Sequence, residues 1–362
     1  MSREGWDRFW FAPGSSENLG RLRILFGLIL VMKLVGFNSL ARLGEHQLRT
    51  PALLRMMRIP GPFTLPVPGF EWLPMPSYPL AAGLDWALLG LTLLFTCGVF
   101  TRWVGVLIAG LIAYPVLLSQ FAYTHHVNVL LWTALILCFS PCGDHYSVDA
   151  WRRSGPAPER PMTALRMLQI LTTTIYFSTV LGKLNAGWFD GRMMEMMASN
   201  GHLSGAAAPW ILSLVSTDTL GHVTLFVQGF LVFALWFPRT RRLGIWLGLL
   251  FHLGIDLMMP VTTFSYQMWM LYVAFIDPQP RRHRVTLPAG HWLLRAGPWL
   301  DLFKRVTWST GGSELVLEKP AGNLRGRAAW LELGCTNPIT FLWVWPLNVL
   351  HQVATLRPAR RP

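Results

Sequence analysis

Long apolar runs broken by short polar turns dominate the chain from residue 21 to 277. Eight of them approach the roughly 20 residues needed to cross about 30 Å of hydrocarbon: 21–38, 82–100, 103–121, 127–142, 164–183, 220–237, 243–259 and 262–277. The fourth and eighth are short. The pattern predicts an all-α fold: a polytopic membrane bundle of about eight transmembrane helices within residues 1–277, then a short mixed basic tail over 278–362. In the tail, a β-like patch is expected around Glu314 to Leu317. The aromatic stretch from Ile339 to His351, interrupted by Pro346, reads as an interfacial helix. The proline-rich run from Pro60 to Pro79 suits neither a long helix nor a central strand, and reads as a solvated loop or a folded-over lid.

Composition supports lipid as the main solvent, with 52% of residues hydrophobic and 14% charged. The net charge of +13 is scattered through loops and tail, with no basic helix or nucleic-acid motif. That excludes nucleic acid as the expected partner and leaves the bilayer itself. With the N-terminus inside, Arg102, Arg152, Arg153, Arg239, Arg241 and Arg242 fall in cytoplasmic turns, while the turns after spans three and seven hold no Lys or Arg. The first outer loop, with Arg42, Arg49, Arg55 and Arg58, is the exception, and its length reduces its weight. The expected location is the cell membrane, multi-pass, with N- and C-termini cytoplasmic. Acidic and aromatic residues in the first 19 positions do not resemble a cleavable signal peptide, so the first span is expected to stay in the mature protein. Four cysteines form no evident disulfide framework; Cys138 and Cys142, four apart, share a helix face as a metal or redox pair or as plain packing.

Polar side chains inside apolar spans are costly and gather where helices face one another or a water-filled cavity. In the fifth span Gln169, Thr172, Tyr176, Thr179 and Lys183 recur at spacings of three or four, on one helical face. Lys183 lies at the outer boundary, where it either snorkels to headgroups or points into the bundle. A lysine in a dry pocket sheds its proton more readily, because burial disfavours the charged form, and then serves as a general base. In the seventh span His252 and Asp256 stand four apart, spaced to share a hydrogen bond that holds a proton, or to join helices. His125 and His126 open the fourth span; being adjacent, they cannot both reach one metal from a helix, and no metal site is expected. The charge-derived topology puts His125, His126, Lys183 and Asp256 on the same, non-cytoplasmic side.

Ordered motifs run through the same residues. Tyr123, His125 and His126 precede an apolar run; Asp144, His145, Tyr146, Ser147, Val148 and Asp149 follow it. Then come Tyr176, Phe177, Lys183, Leu184, Asn185, Trp188, Gly191, Met194 and Glu195, and later Phe251, His252, Phe264, Ser265 and Tyr266. Together they resemble the HTTM family, membrane proteins related to the vitamin K-dependent γ-glutamyl carboxylase, over roughly residues 20 to 277. The resemblance implies Lys183 as the base that deprotonates reduced vitamin K, His126 near the quinone pocket, and Tyr176 and Trp188 as packing around it. Asp256 has no identified acidic counterpart. The candidate set is therefore Lys183, His126 and His252 as catalytic groups, with Tyr176, Trp188, His125 and Asp256 about a reduced quinone of the vitamin K kind. The carboxylase carries a large lumenal region that grips its client, where this chain has a short basic tail.

Three functions remain compatible with these residues. One is a membrane enzyme of the carboxylase kind, with a quinone-type cofactor and Lys183 as base. Another is a non-catalytic partner or maturation factor for a secreted peptide or protein. The third is a transporter, which lacks support from paired broken helices or an inverted repeat.

Overall fold

The computed structural model describes residues 2–36, 65–153, 155–261, 263–276, 283–301, 306–318, 322–335 and a few positions between 344 and 351. It divides into two compact units, Met1–Pro278 and Gln279–Pro362.

The first unit is helical. Its principal helices are α1 (Arg3–Phe11), α2 (Glu17–Leu34), α3 (Tyr78–Cys97), α4 (Thr101–Leu118), α5 (His125–Cys138), α6 (Thr163–Lys183), α7 (Arg192–Ser199), α8 (Ala208–Leu214), α9 (Thr217–Ala234), α10 (Pro238–Met258) and α11 (Phe264–Leu271). Each of the eight apolar runs falls on one of these helices. Three, α3, α4 and α6, are long and apolar enough by themselves to cross a membrane. The pair α8 and α9, bent by 103°, makes a fourth if it is one broken span. The other runs fall short for legible reasons: α2 holds Glu17, Arg21, Arg23 and Lys33, α10 holds three arginines and Asp256, and α5 and α11 are short. Large apolar side chains on α3 and α4 face outward; Trp86 is 73% and Trp103 71% exposed. A surface of that kind suits lipid.

The core forms around α11. Ser265, Gln267, Met268, Met270 and Leu271 are buried, and so are Tyr272, Ala274 and Phe275 of the 3-10 turn that follows, Tyr272–Phe275. A segment buried on so many faces must be wrapped by others. Helices α2, α5, α6 and α10 all pack against it. The seventh and eighth apolar runs thus carry buried polar residues, His252 and Asp256 on α10 and Ser265 and Gln267 on α11.

At one end of the bundle, buried Arg23 of α2 donates to the carbonyls of Cys142 (2.7 Å), His145 (3.3 Å), Thr96 (3.4 Å) and Tyr146. The Asp149 carboxylate accepts from the amides of Phe100 and Thr101, both at 2.9 Å, meeting the positive end of α4. Asp144 pairs with Arg153 (2.7 Å) and Arg160 (2.8 Å). Tyr146, in the left-handed region at φ 53°, bonds Glu17. The segment Asp144–Asp149 is therefore a clasp for helix ends.

The second unit holds a four-stranded sheet in the order β4-β3-β5-β6, counting a two-residue ribbon in the first unit, Pro13–Gly14 with Arg160–Pro161, as β1 and β2. Here β3 (His283–Leu287) runs parallel to β4 (Val306–Thr310) and antiparallel to β5 (Val316–Glu318), which pairs with β6 (Leu324–Arg325). Val285, Leu287, Leu293, Leu315, Leu317 and Ala329 form its core. The β-like patch is β5; β3 and β4 had no counterpart in the sequence pattern. Most of the expected interfacial helix at 339–351, and residues 37–64 of the first outer loop with its arginines and the start of the proline-rich run, lie outside the described residues.

Candidate functional site

The polar stripe of α6 turns inward. Gln169, Thr172 and Tyr176 are buried, and Thr179 and Lys183 are half-buried. Gln169 Nε2 donates to the Ala274 carbonyl at 2.7 Å, while the Tyr176 hydroxyl meets the Tyr272 hydroxyl. Both contacts fix α6 to the 3-10 turn. Thr172 bonds the Leu168 carbonyl at 2.8 Å, a local bond within its own helix.

Opposite Tyr176 lies α10, whose buried residues are Gly244, Gly248, His252 and Asp256, each four after the last. One helical face thus presents two bare backbone positions, then an imidazole, then a carboxylate. His252 Nε2 lies 2.8 Å from the Tyr176 hydroxyl. Phe251 and Phe264 meet the imidazole edge-to-face, at 5.2 and 5.7 Å between centroids. Gly248 explains how Tyr272 reaches this group: a Cβ at 248 would stand 2.1 Å from the Tyr272 hydroxyl. The carboxylate of Asp256 accepts from Tyr266 at 3.1 Å. The spacing of four between His252 and Asp256 was open to a bond within the pair; instead each engages a tyrosine. One side chain stands about a turn above the other, and each meets a hydroxyl on a neighbouring helix.

Lys183 ends α6. Its Nζ stands 5.0 Å from the centre of the Trp188 ring and 3.4 Å from the Thr179 carbonyl, and among the described residues it forms no ion pair. Trp188 sits in the short turn Ala186–Phe189, which begins at Asn185. That turn rests on α9, where a Cβ at Gly221 would come within 2.8 Å of the Trp188 carbonyl. The motif from Tyr176 to Gly191 thus holds the amine under an indole face.

The sequence-derived candidates fall into three groupings: Lys183 with Trp188, His252 with Tyr176, and Asp256 with Tyr266. His125 is exposed at the start of α5, and His126 Nε2 lies 3.3 Å from Thr124 Oγ1 in its own turn. Cys138 and Cys142 are buried free thiols bonded to the Leu135 and Leu137 carbonyls. Among the described residues no group of three His, Cys, Asp or Glu side chains could hold a metal. Tyr272, Gly248 and Arg23 were not singled out in the sequence. Only Arg23, a charged residue two positions inside an apolar run that opens with Arg21, carried a signal that could have found it.

No solved structure matches the chain. The model of the HTTM domain, a membrane domain associated with carboxylase-like proteins, matches residues 11–279, which include every helix and side chain of the site. The chain belongs to the HTTM family.

Proposed function

We propose that the chain is a multi-pass membrane protein of eight crossings, with both termini cytoplasmic, that performs carboxylase-like base chemistry at its non-cytoplasmic end. Lys183 is the base. The observation that carries this reading is the amine's company: an indole face, a backbone carbonyl and, among the described residues, no carboxylate. A carboxylate at hydrogen-bond distance would lock the proton into an ion pair, whereas this arrangement leaves the amine to serve an incoming acidic hydroxyl. Crossings by α2, α5, α10 and α11 follow if their polar groups face inward, as Arg23, His252 and Asp256 do.

The cofactor class is a reduced quinone. Its fit rests on the donor set, an amine beside the flat face of Trp188, with the Phe251 and Phe264 rings deeper in the bundle. Such a group, when bound, supplies an acidic ring hydroxyl and reducing equivalents. The chain's own part is to stack the ring, exclude water and take up the proton at Lys183 Nζ. A secreted peptide or protein is the client this reading favours. General-base catalysis contributes about 10²- to 10⁴-fold, so Lys183→Ala is expected to insert and fold while losing turnover by at least about 10²-fold.

A second reading, a non-catalytic maturation or assembly partner, is favoured by the Asp144–Asp149 clasp, where family-like residues are consumed in holding helix ends. It predicts a stoichiometric partner on purification, retained after Lys183→Ala.

A further inference from the structure

His252 uses one of its two ring nitrogens. Nε2 meets Tyr176, whose hydroxyl also meets Tyr272. Nδ1 is buried and has no hydrogen-bond partner among the described residues. The neighbouring helix α11 repeats the situation: Ser265 Oγ and Gln267 Oε1, on residues with no exposed surface, also lack partners there. Helices α10 and α11 pack together, and the Phe264 ring of α11 lies against the imidazole. An unmet buried polar atom costs about 1–3 kcal/mol, and folded proteins rarely leave one. Ser265 and Gln267, two apart on α11, face different ways, so it is His252 Nδ1 itself that indicates a polar group to satisfy it.

The hydroxyl chain sets what that group must be. With the order Tyr272 to Tyr176 to Nε2, each donating to the next, the ring proton sits on Nδ1, which becomes a donor. In the reverse order Nε2–H donates to Tyr176, Tyr176 donates to Tyr272, and Nδ1 is a bare acceptor. Only a group that both donates and accepts meets either form, and its other surroundings here are aromatic. We propose that His252 Nδ1, between α10 and α11, holds a hydroxyl-bearing molecule inside the bundle: the ring hydroxyl of a lipid-soluble ligand, or an ordered water. The first source rests on the reading above and adds a second contact for that ligand; the second does not depend on it.

The test uses the full chain, ¹⁵N-labelled at histidine, in phosphatidylcholine nanodiscs, with the reduced naphthoquinone menadiol as probe. His252→Gln identifies the His252 resonances by difference, and Tyr272→Phe, which disturbs only the Nε2 side, identifies them if the first variant does not fold. If the ring ligand binds, menadiol shifts the Nδ1 resonance, and His252→Gln weakens menadiol binding about tenfold, the loss of one hydrogen bond. If water is the occupant, Nδ1 shows transfer from exchangeable water protons and menadiol leaves it unchanged. An Nδ1 resonance that neither responds to menadiol nor contacts water overturns the proposal. The same titration on Lys183→Ala separates the two ideas: a retained shift with no turnover in the wild-type protein would sink the catalytic reading and leave this one standing.

Discussion

At the scale of single residues, the hydroxyl pair of Tyr176 and Tyr272 depends on a missing side chain. Gly248 lets the Tyr272 hydroxyl approach the backbone of α10, so Gly248→Ala must push Tyr272 away from Tyr176. Overpacking of that kind costs about 1–3 kcal/mol; a thermal melt in detergent should fall accordingly, and an unshifted melt would contradict the packing described. Tyr176, His252 and Lys183 were legible in the sequence because polar groups in apolar runs have few tolerated explanations. Tyr272 and Gly248 were not, since neither belongs to a polar stripe such as the one that marked Tyr176, and their meeting depends on how two helices cross. His145 supplies a pH test outside the spans. Burial holds its pKa below the usual 6.5. The unfolded chain therefore takes up the proton first, so this contribution to stability is complete above about 6.5 and is lost as pH falls below that value towards the folded pKa. Unfolding midpoints should decline over that window, and less steeply in His145→Gln; parallel profiles would contradict the assignment.

At the scale of elements, the Asp144–Asp149 clasp is the clearest case of a motif whose work is structural. Asp149 meets two amides at the start of α4, and capping groups of this kind contribute about 0.5–2 kcal/mol. Asp149→Ala should lose about that much stability, measured by melting, while leaving the contacts of Lys183 intact; a loss of ligand response without a loss of stability would point to a chemical role instead. Apolar length found eight of the helices, because a buried or lipid-facing helix needs a continuous run, and missed α1, α7 and α8, which are short. It could not say that α11 lies at the centre, since several runs are equally apolar and only their packing ranks them. Nor did it find β3 and β4, whose strands of five residues hold mixed polar and apolar side chains and gain their order from pairing.

At the scale of the whole molecule, the account stands on topology and on Lys183. The proposed eight crossings would put Tyr123 outside and Trp151 inside, and both are well exposed, at 63% and 84%. In a background without Cys97 and Cys335, an impermeant thiol reagent should label Tyr123→Cys from outside intact cells and reach Trp151→Cys only after lysis; the opposite pattern would reverse the orientation. The family match and the helical bundle were both readable from residues in order along the chain. The details of the site were less so, because a distance between spans five and seven is set by helices the sequence does not position. The family resemblance implies that the deprotonated hydroquinone is then oxygenated, so the most direct test is oxygen uptake driven by menadiol in proteoliposomes, comparing the wild-type protein with Lys183→Ala. The account predicts uptake by the wild type and a fall of at least about 10²-fold in the variant, with its melt unchanged. Equal uptake by the two proteins would contradict it.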